Sequence, residues 1–346
     1  MTSCCTLLAA GAAVLFTGVA ANAQDITGAG ATFPAPVYTK WAGAAKSAVG
    51  VTLNYQALGS GAGQNQIIKG TVDFGASDAP MSADKLATNH LLQFPTVMGA
   101  VVPIVNIPGV KPDAMKLDGN TLAAIFDGDI VSWNDPKIRA LNPGMHLPHL
   151  AIAPVHRADG SGTTFVFTSY LSAVNAKWKS DVGASTSVSW PTGAGAKGND
   201  GVAGTVRNTR GGVGYVEFAY AAANNLTTVQ LKNASGAYVK PTLDSFKAAA
   251  AHADWTGAKN FAVSLVDQQG ETSWPIVSAT FVIVPEASKD PAKETAVLKF
   301  FNWGYQSGGD IATGLKYVTL PPAVQDAVRA AWSSNIKGAD GQKLSF

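Results

Sequence analysis

Past residue 5 the sequence contains no cysteine, and its only thiols, Cys4 and Cys5, lie in the apolar N-terminal run MTSCCTLLAAGAAVLFTGVAANA. With that run removed there is no disulfide, thiol nucleophile or cysteine-bound metal, and stability has to come from packing. Charge is scarce too: 14% of residues are Asp, Glu, Lys or Arg, the formal net charge is +2, and no long basic run occurs. Nothing here suggests a nucleic-acid surface, so a charged ligand has to be held by a few local groups. No Gly-Lys-Ser/Thr follows any glycine loop, which excludes a nucleotide-hydrolysing P-loop. The five histidines have no ligand spacing. His146 and His149 flank Leu147-Pro148 without a nearby acidic cluster, and His90 and His252 read as ordinary polar positions, so no metal is expected.

The N-terminal run ends in Ala21-Asn22-Ala23, an A-x-A cleavage pattern, and is read as an export signal removed after Ala23, although it carries no Lys or Arg. A membrane anchor is the competing reading. It fits less well because Gly11, Thr17 and Gly18 interrupt an already short run.

What the chain does have is length for two α/β domains and a loop-rich globular composition, with 346 residues, 47% hydrophobic, 36 Gly and 18 Pro. VTLNYQAL, residues 51 to 58, alternates as a half-buried strand with Val51, Leu53, Tyr55 and Ala57 on one face. It runs into Gly59-Ser60-Gly61-Ala62-Gly63, after which QNQIIKG reads as a short helix. ITGAGATF leads into a helix from Pro34 with Val37, Trp41, Ala45 and Ala48 at helical spacing. TVDFGASDAP is a strand breaking at Asp78, and LAIAPVHR one breaking at Asp159-Gly160. Strands that end in small residues before helices place ligands at their carboxyl ends, where helix N-termini offer free N–H groups. Two uninterrupted apolar stretches, 94 to 109 and 274 to 285, read as fully buried strands bracketing a central block. The chain is expected to leave one lobe, build a second and return, giving a cleft and a two-strand hinge. One large domain with a central insertion is the other possibility that pattern alone leaves open.

The strand ends supply Thr32, Phe33, Ser60, Asp78, Arg157, Ser161, Gly162 and Thr163: hydroxyls, backbone N–H groups, one guanidinium and one carboxylate. A buried tetrahedral oxyanion needs many donors from several directions. The planar fork of Arg157 suits two adjacent oxygens, and Asp159 is placed to fix that fork. Phe33 would act through its N–H while its ring walls off solvent. Asp78 would repel an anion unless the ligand carries a proton to give, as hydrogen phosphate does and sulfate near neutral pH does not. Turn and cap roles for Asp78 and Ser161, and a surface ion pair between Arg157 and Asp159, are the plainer alternatives.

The motifs TGAGATFPAPVYTKW, VDFGASDAP, FPTV, NIPG, RADGSGT, FVFTSYL, GNDGVA and GYVEFAYA resemble the periplasmic phosphate-binding proteins of bacterial ABC phosphate importers, over essentially residues 25 to 346. The resemblance implies a type II periplasmic-binding-protein fold, two α/β lobes on a two-strand hinge with the ligand in the cleft. Residues 24–103 plus 278–346 would form lobe 1 and 104–277 lobe 2. It also implies a periplasmic monomer without catalytic activity or cofactor, which binds inorganic phosphate and hands it to membrane permease subunits served by a separate ATPase. By resemblance the ligand set falls on Thr32, Phe33, Ser60, Asp78, Arg157, Ser161, Gly162 and Thr163, with Asp78 accepting the phosphate proton and Asp159 pairing with Arg157. Ser60-Gly61-Ala62-Gly63 departs from the more usual Ser-Ser-Gly-Gly, and His156 stands where a second arginine is often found.

Other functions fit less well. GAGAKG, 193 to 198, has dinucleotide-loop spacing, but Trp190-Pro191 precedes it where a strand should feed the turn. A secreted phosphatase or serine hydrolase would use Ser161 as nucleophile and His156 as base, yet Gly160-Ser161-Gly162 lacks the G-x-S-x-G spacing. Sugar binding would need aromatic faces in the cleft, whereas Trp41, Trp133, Trp178 and Trp303 read as core or helix positions.

Overall fold

The computed structural model describes residues 24–346 apart from 256, 339, 340 and 345. The run read as an export signal lies outside them. One long sheet organises the chain, its strands lying in the order Val51–Ala57, Gln24–Gly30, Phe74–Ser77, Val277–Pro285, Leu91–Val105, Gly212–Glu217, Ala153–Arg157 and Ala194–Ala196. The first three are mutually parallel, and so are the last three. Between these groups lie two antiparallel strands that carry the chain from one to the other. Leu91 to Ala100 pair with Val277–Pro285, and Val101 to Val105 pair with Gly212–Glu217. All fifteen residues of Leu91–Val105 are buried, which is why they read as one apolar run instead of alternating.

Each parallel group is flanked by helices that follow its strands. Helix Ala35–Val49 buries Val37, Tyr38, Trp41 and Ala45, while Ala48 is exposed, so the apolar stripe is one position shorter than its spacing suggests. Ala57 is likewise exposed, at the end of an edge strand. Helix Ser60–Ile68 starts at Ser60 and takes the glycines into its first turn, where a loop was expected. Glycine is needed there because a Cβ on Gly63 would stand 2.6 Å from the Ala76 carbonyl oxygen and the Gly30 Cα, so only a bare backbone packs so close to two strands.

GAGAKG also differs from expectation. No strand precedes it, as expected from Trp190-Pro191, but it contains strand Ala194–Ala196 and opens helix Gly198–Asn208. Its helix N-terminus is instead taken by a side chain, since Gly198 N–H donates to Asp159 Oδ1 at 3.0 Å.

Candidate functional site

Five strand ends and helix starts meet where the two groups of strands face each other. One lobe contributes the turn after Gln24–Gly30, the head of helix Ser60–Ile68, and Asp78 just past Phe74–Ser77. The other contributes Arg157, last in its strand, and the head of helix Gly162–Val174. These are carboxyl ends of parallel strands, where backbone N–H groups are left over. The lobes touch. Gly61 N–H donates to the Gly160 carbonyl at 2.9 Å, and a Cβ on Gly162 would lie 2.6 Å from both Asp78 Cβ and Ser60 Oγ. Thr32, Phe33, Ser60, Asp78, Arg157, Ser161, Gly162 and Thr163 are all buried around this junction.

Arg157 and Asp159 form a two-pronged ion pair, Nε to Oδ1 at 2.8 Å and Nη2 to Oδ2 at 2.5 Å. Nη1 reaches Thr163 Oγ1 at 3.3 Å. Burial pushes the Asp159 carboxyl up, but the bond and charge of Arg157 and the Gly198 N–H outweigh it and hold it below the usual carboxylate value. The guanidinium is therefore fixed by one edge, with its remaining hydrogens turned to the junction.

The hydroxyls share a common arrangement. Thr32 Oγ1 accepts from Asn199 Nδ2 at 2.7 Å, Thr163 Oγ1 from Asn199 Nδ2 at 3.2 Å and from Arg157, Ser161 Oγ from Thr164 N–H at 3.0 Å, and Ser60 Oγ from Asp78 N–H at 3.2 Å. Each oxygen already receives a hydrogen from the protein, which leaves its own proton available to donate. Ser161 is thus a helix cap, a role that does not conflict with its hydroxyl donating to a ligand.

Asp78 stands alone among these donors. It is 1% exposed, and its Oδ1 accepts the Thr280 hydroxyl at 2.7 Å. Burial pushes its carboxyl up to about 7, against the opposing pull of the Thr280 hydrogen bond, the Arg157 charge and Ser60. Thr280 sits at the register shift between Ala279 and Phe281, the kind of irregularity that re-aims a side chain. The arrangement can surround a small oxyanion with donors while presenting a single acceptor to a proton on it.

Several supporting residues were not singled out from sequence. Asn199 bridges Thr32 and Thr163 and accepts Glu217 N–H at 2.9 Å, joining both lobes. Tyr215 OH accepts Arg157 N–H at 3.1 Å. Tyr220 OH donates to the Thr32 carbonyl, and Tyr317 OH to the Phe33 carbonyl, both at 2.6 Å. Glu217 Oε2 lies 3.0 Å from the Tyr317 hydroxyl, whose one proton faces a carbonyl that can only accept. Glu217 Oε2 also accepts Ala219 N–H at 2.9 Å, and burial raises the Glu217 carboxyl well above its ordinary range. Asn199 and Tyr220 fall in GNDGVA and GYVEFAYA, which was the only sequence signal for them.

His156 stacks on Trp190, with ring centroids 4.8 Å apart, and its Nδ1 lies 3.1 Å from the Arg157 carbonyl. Strand alternation turns it away from Arg157, and it has no hydrogen bond to Ser161 among the described residues. Trp41, Trp133 and Trp178 are buried, and Trp303 is half-buried on helix Pro291–Ser307. Among the described residues no three His, Cys, Asp or Glu side chains cluster as metal ligands, and no helix is long and apolar enough to cross a membrane.

A model of the PBP superfamily domain matches residues 17–307. The chain is 48% identical over 334 residues to the phosphate-binding protein PstS of Pasteurella multocida, covering 96% of this chain and 97% of that one. It is also 48% identical over 317 residues to the PstS of Haemophilus influenzae, covering 92% and 95%. In fold it is similar to a high-affinity periplasmic phosphate-binding protein solved with phosphate, with TM-score 0.74 and 24% identity over 90% of this chain and 95% of that one. The phosphate-binding protein of Stenotrophomonas maltophilia gives TM-score 0.70 and 22% identity over 92% and 97%.

Proposed function

The chain belongs to the PstS family of phosphate-binding proteins, and on that premise we propose that it captures inorganic phosphate in the periplasm and delivers it to the membrane permease of an ABC importer driven by a separate ATPase. Residues 24–103 with 278–346 act as one lobe and 104–277 as the other, hinged on the two central strands. Phosphate is held by the hydroxyls of Thr32, Ser60, Ser161 and Thr163, by backbone N–H groups including those of Phe33 and Gly162, and by Arg157, which Asp159 orients. The observation that carries this reading is Asp78, a buried carboxyl set among the hydroxyl and N–H donors of the junction and held by Thr280. It takes the proton of hydrogen phosphate, whereas a bare sulfate oxygen would bring two lone pairs face to face. Because ligands come from both lobes, phosphate favours the closed arrangement by its differential affinity. A single copy of the chain suffices, with no metal, cofactor or bond-breaking step.

Equilibrium dialysis against radiolabelled phosphate tests this. Capture of one phosphate per chain, competed by arsenate and without turnover of a chromogenic phosphate ester, is expected. Steady ester hydrolysis abolished by Ser161→Ala would instead establish a phosphatase.

A further inference from the structure

Tyr220 belongs to helix Phe218–Ala223, directly after strand Gly212–Glu217 of the second lobe. Its hydroxyl crosses the cleft to donate to the Thr32 carbonyl at 2.6 Å, although 188 positions separate the two residues in sequence. That carbonyl belongs to the same peptide unit as the N–H of Phe33. A peptide unit is conjugated, so a donor on its oxygen draws electron density from nitrogen and makes the N–H a better donor, by roughly 10–30% per bond. The Thr32 oxygen also accepts Ala35 N–H at 3.2 Å from the opening turn of helix Ala35–Val49, so donors approach it from both lobes. The Phe33 N–H itself has no protein acceptor among the described hydrogen bonds.

Other contacts across the cleft work differently. Asn199 holds the Thr32 side chain, and Gly61 N–H meets the Gly160 carbonyl, but neither touches the peptide that carries the Phe33 N–H. Tyr317 donates to the Phe33 carbonyl, which is the next peptide unit, and it sits beside strand Val318–Thr319, which pairs with Met98 and Val97 in the same lobe as Phe33.

We propose that Tyr220 is a positioning residue for phosphate capture: by donating to the Thr32 carbonyl across the cleft, it orients and strengthens the Phe33 N–H as a ligand donor once the lobes have closed. This rests on the reading that phosphate occupies the cleft beside Phe33. It links closure to donor strength, because the bond is made only when the second lobe arrives, so an anion meets its strongest Phe33 N–H in the closed form. Tyr220 itself touches no ligand.

Tyr220→Phe removes one oxygen and keeps the ring. Phosphate should bind about two- to tenfold more weakly, the span covered by one net neutral hydrogen bond, with most of the change in a faster release rate. In the phosphate-saturated protein, the amide proton resonance of Phe33 should move upfield, while those of Gly162 and Thr163 stay in place. Loss of a merely structural contact would lower the unfolding temperature without singling out that one amide. A ring-fluorinated tyrosine at 220, with a more acidic hydroxyl, should shift the Phe33 amide downfield and tighten binding, and it serves as well if the phenylalanine variant folds poorly. Unchanged affinity and an unmoved Phe33 amide in both variants, in a wild type that does bind phosphate, would overturn the role of Tyr220 alone. Failure of the wild type to bind phosphate would overturn the site reading beneath it.

Discussion

At Asp78 a carboxyl that ionises near pH 4 in water is held to about 7 because burial costs its charge more than Thr280, Arg157 and Ser60 restore. Its Oδ1 is held by the Thr280 hydroxyl, and on the proposed reading a proton on the ligand is what the ionised carboxyl accepts. Asp78→Asn should blunt that preference, since an amide can donate to a bare oxyanion where a carboxylate only accepts. The ratio of phosphate to sulfate affinity should fall from about 10⁴ toward about 10² or less, read from competition binding. Undiminished discrimination in that variant would place the selectivity elsewhere. Arg157→Lys should weaken phosphate by at least about tenfold, because a lysine cannot hold Asp159 with two prongs and still present a fork. The same substitution should raise the Asp159 carboxyl toward its ordinary value, visible in a carboxyl NMR titration.

Among the elements, helix Pro291–Ser307 contains a buried acid of a different kind, away from the cleft. Glu294 is 2% exposed, its Oε1 has no partner, and burial with help from nearby Asp73 pushes its carboxyl up to about 8. A folded value above the unfolded one means that the native protein binds more protons between about pH 4.5 and 8, so this contribution to stability is full at low pH and lost as pH rises. Glu294→Gln should flatten the fall of the unfolding temperature over that window and stabilise the phosphate-free protein at pH 8, on the order of a few kcal/mol. Thermal unfolding at a series of pH values measures this, and parallel curves for the two proteins would contradict it. Asp159 works in the opposite sense, as its depressed carboxyl stabilises the fold above the usual carboxylate range and loses that effect on acidification.

The elements also show what the sequence made legible. Strand ends marked by Asp78 and by Arg157-Ala158-Asp159 were readable because charge appears there abruptly after apolar runs. The stretches 94 to 109 and 274 to 285 were readable as buried strands because their apolar residues run on uninterrupted, and they fall on Leu91–Val105, buried throughout, and on Val277–Pro285, buried up to Val284. Thr280 was not, since one threonine inside an apolar strand looks like any other until a register shift aims it at a residue 202 positions away. Asn199, Tyr220 and Tyr317 escaped likewise, because each acts on a backbone or hydroxyl group far away in the chain. The helix start at Ser60 was missed because glycines argue for a loop, whereas Gly63 is explained by the close backbone of strands Gln24–Gly30 and Phe74–Ser77 and Gly61 by Gly160 across the junction.

For the molecule as a whole, the proposed function makes closure the step that turns two half-sites into one. Gly162 has ordinary helical surroundings on its own lobe, yet a Cβ there would strike Asp78 and Ser60 on the other. Gly162→Ala should therefore fold with an unfolding temperature near that of the wild type while failing to close. Phosphate affinity should drop by about 10²-fold or more, and X-ray scattering should keep the larger radius of gyration even with phosphate present. A variant that contracts normally on adding phosphate would show that Gly162 tolerates the methyl group and that the lobes meet less closely there. The most direct test is calorimetric titration of the wild-type protein with phosphate and then with sulfate at about pH 8.5, above the value to which burial raises Asp78, so that the carboxyl is ionised and only accepts. One tightly held phosphate per chain, undisturbed by a sulfate excess of about 10³-fold or more, is the expected outcome. Sulfate binding within about tenfold of phosphate would mean that no buried acceptor is reading the ligand's proton.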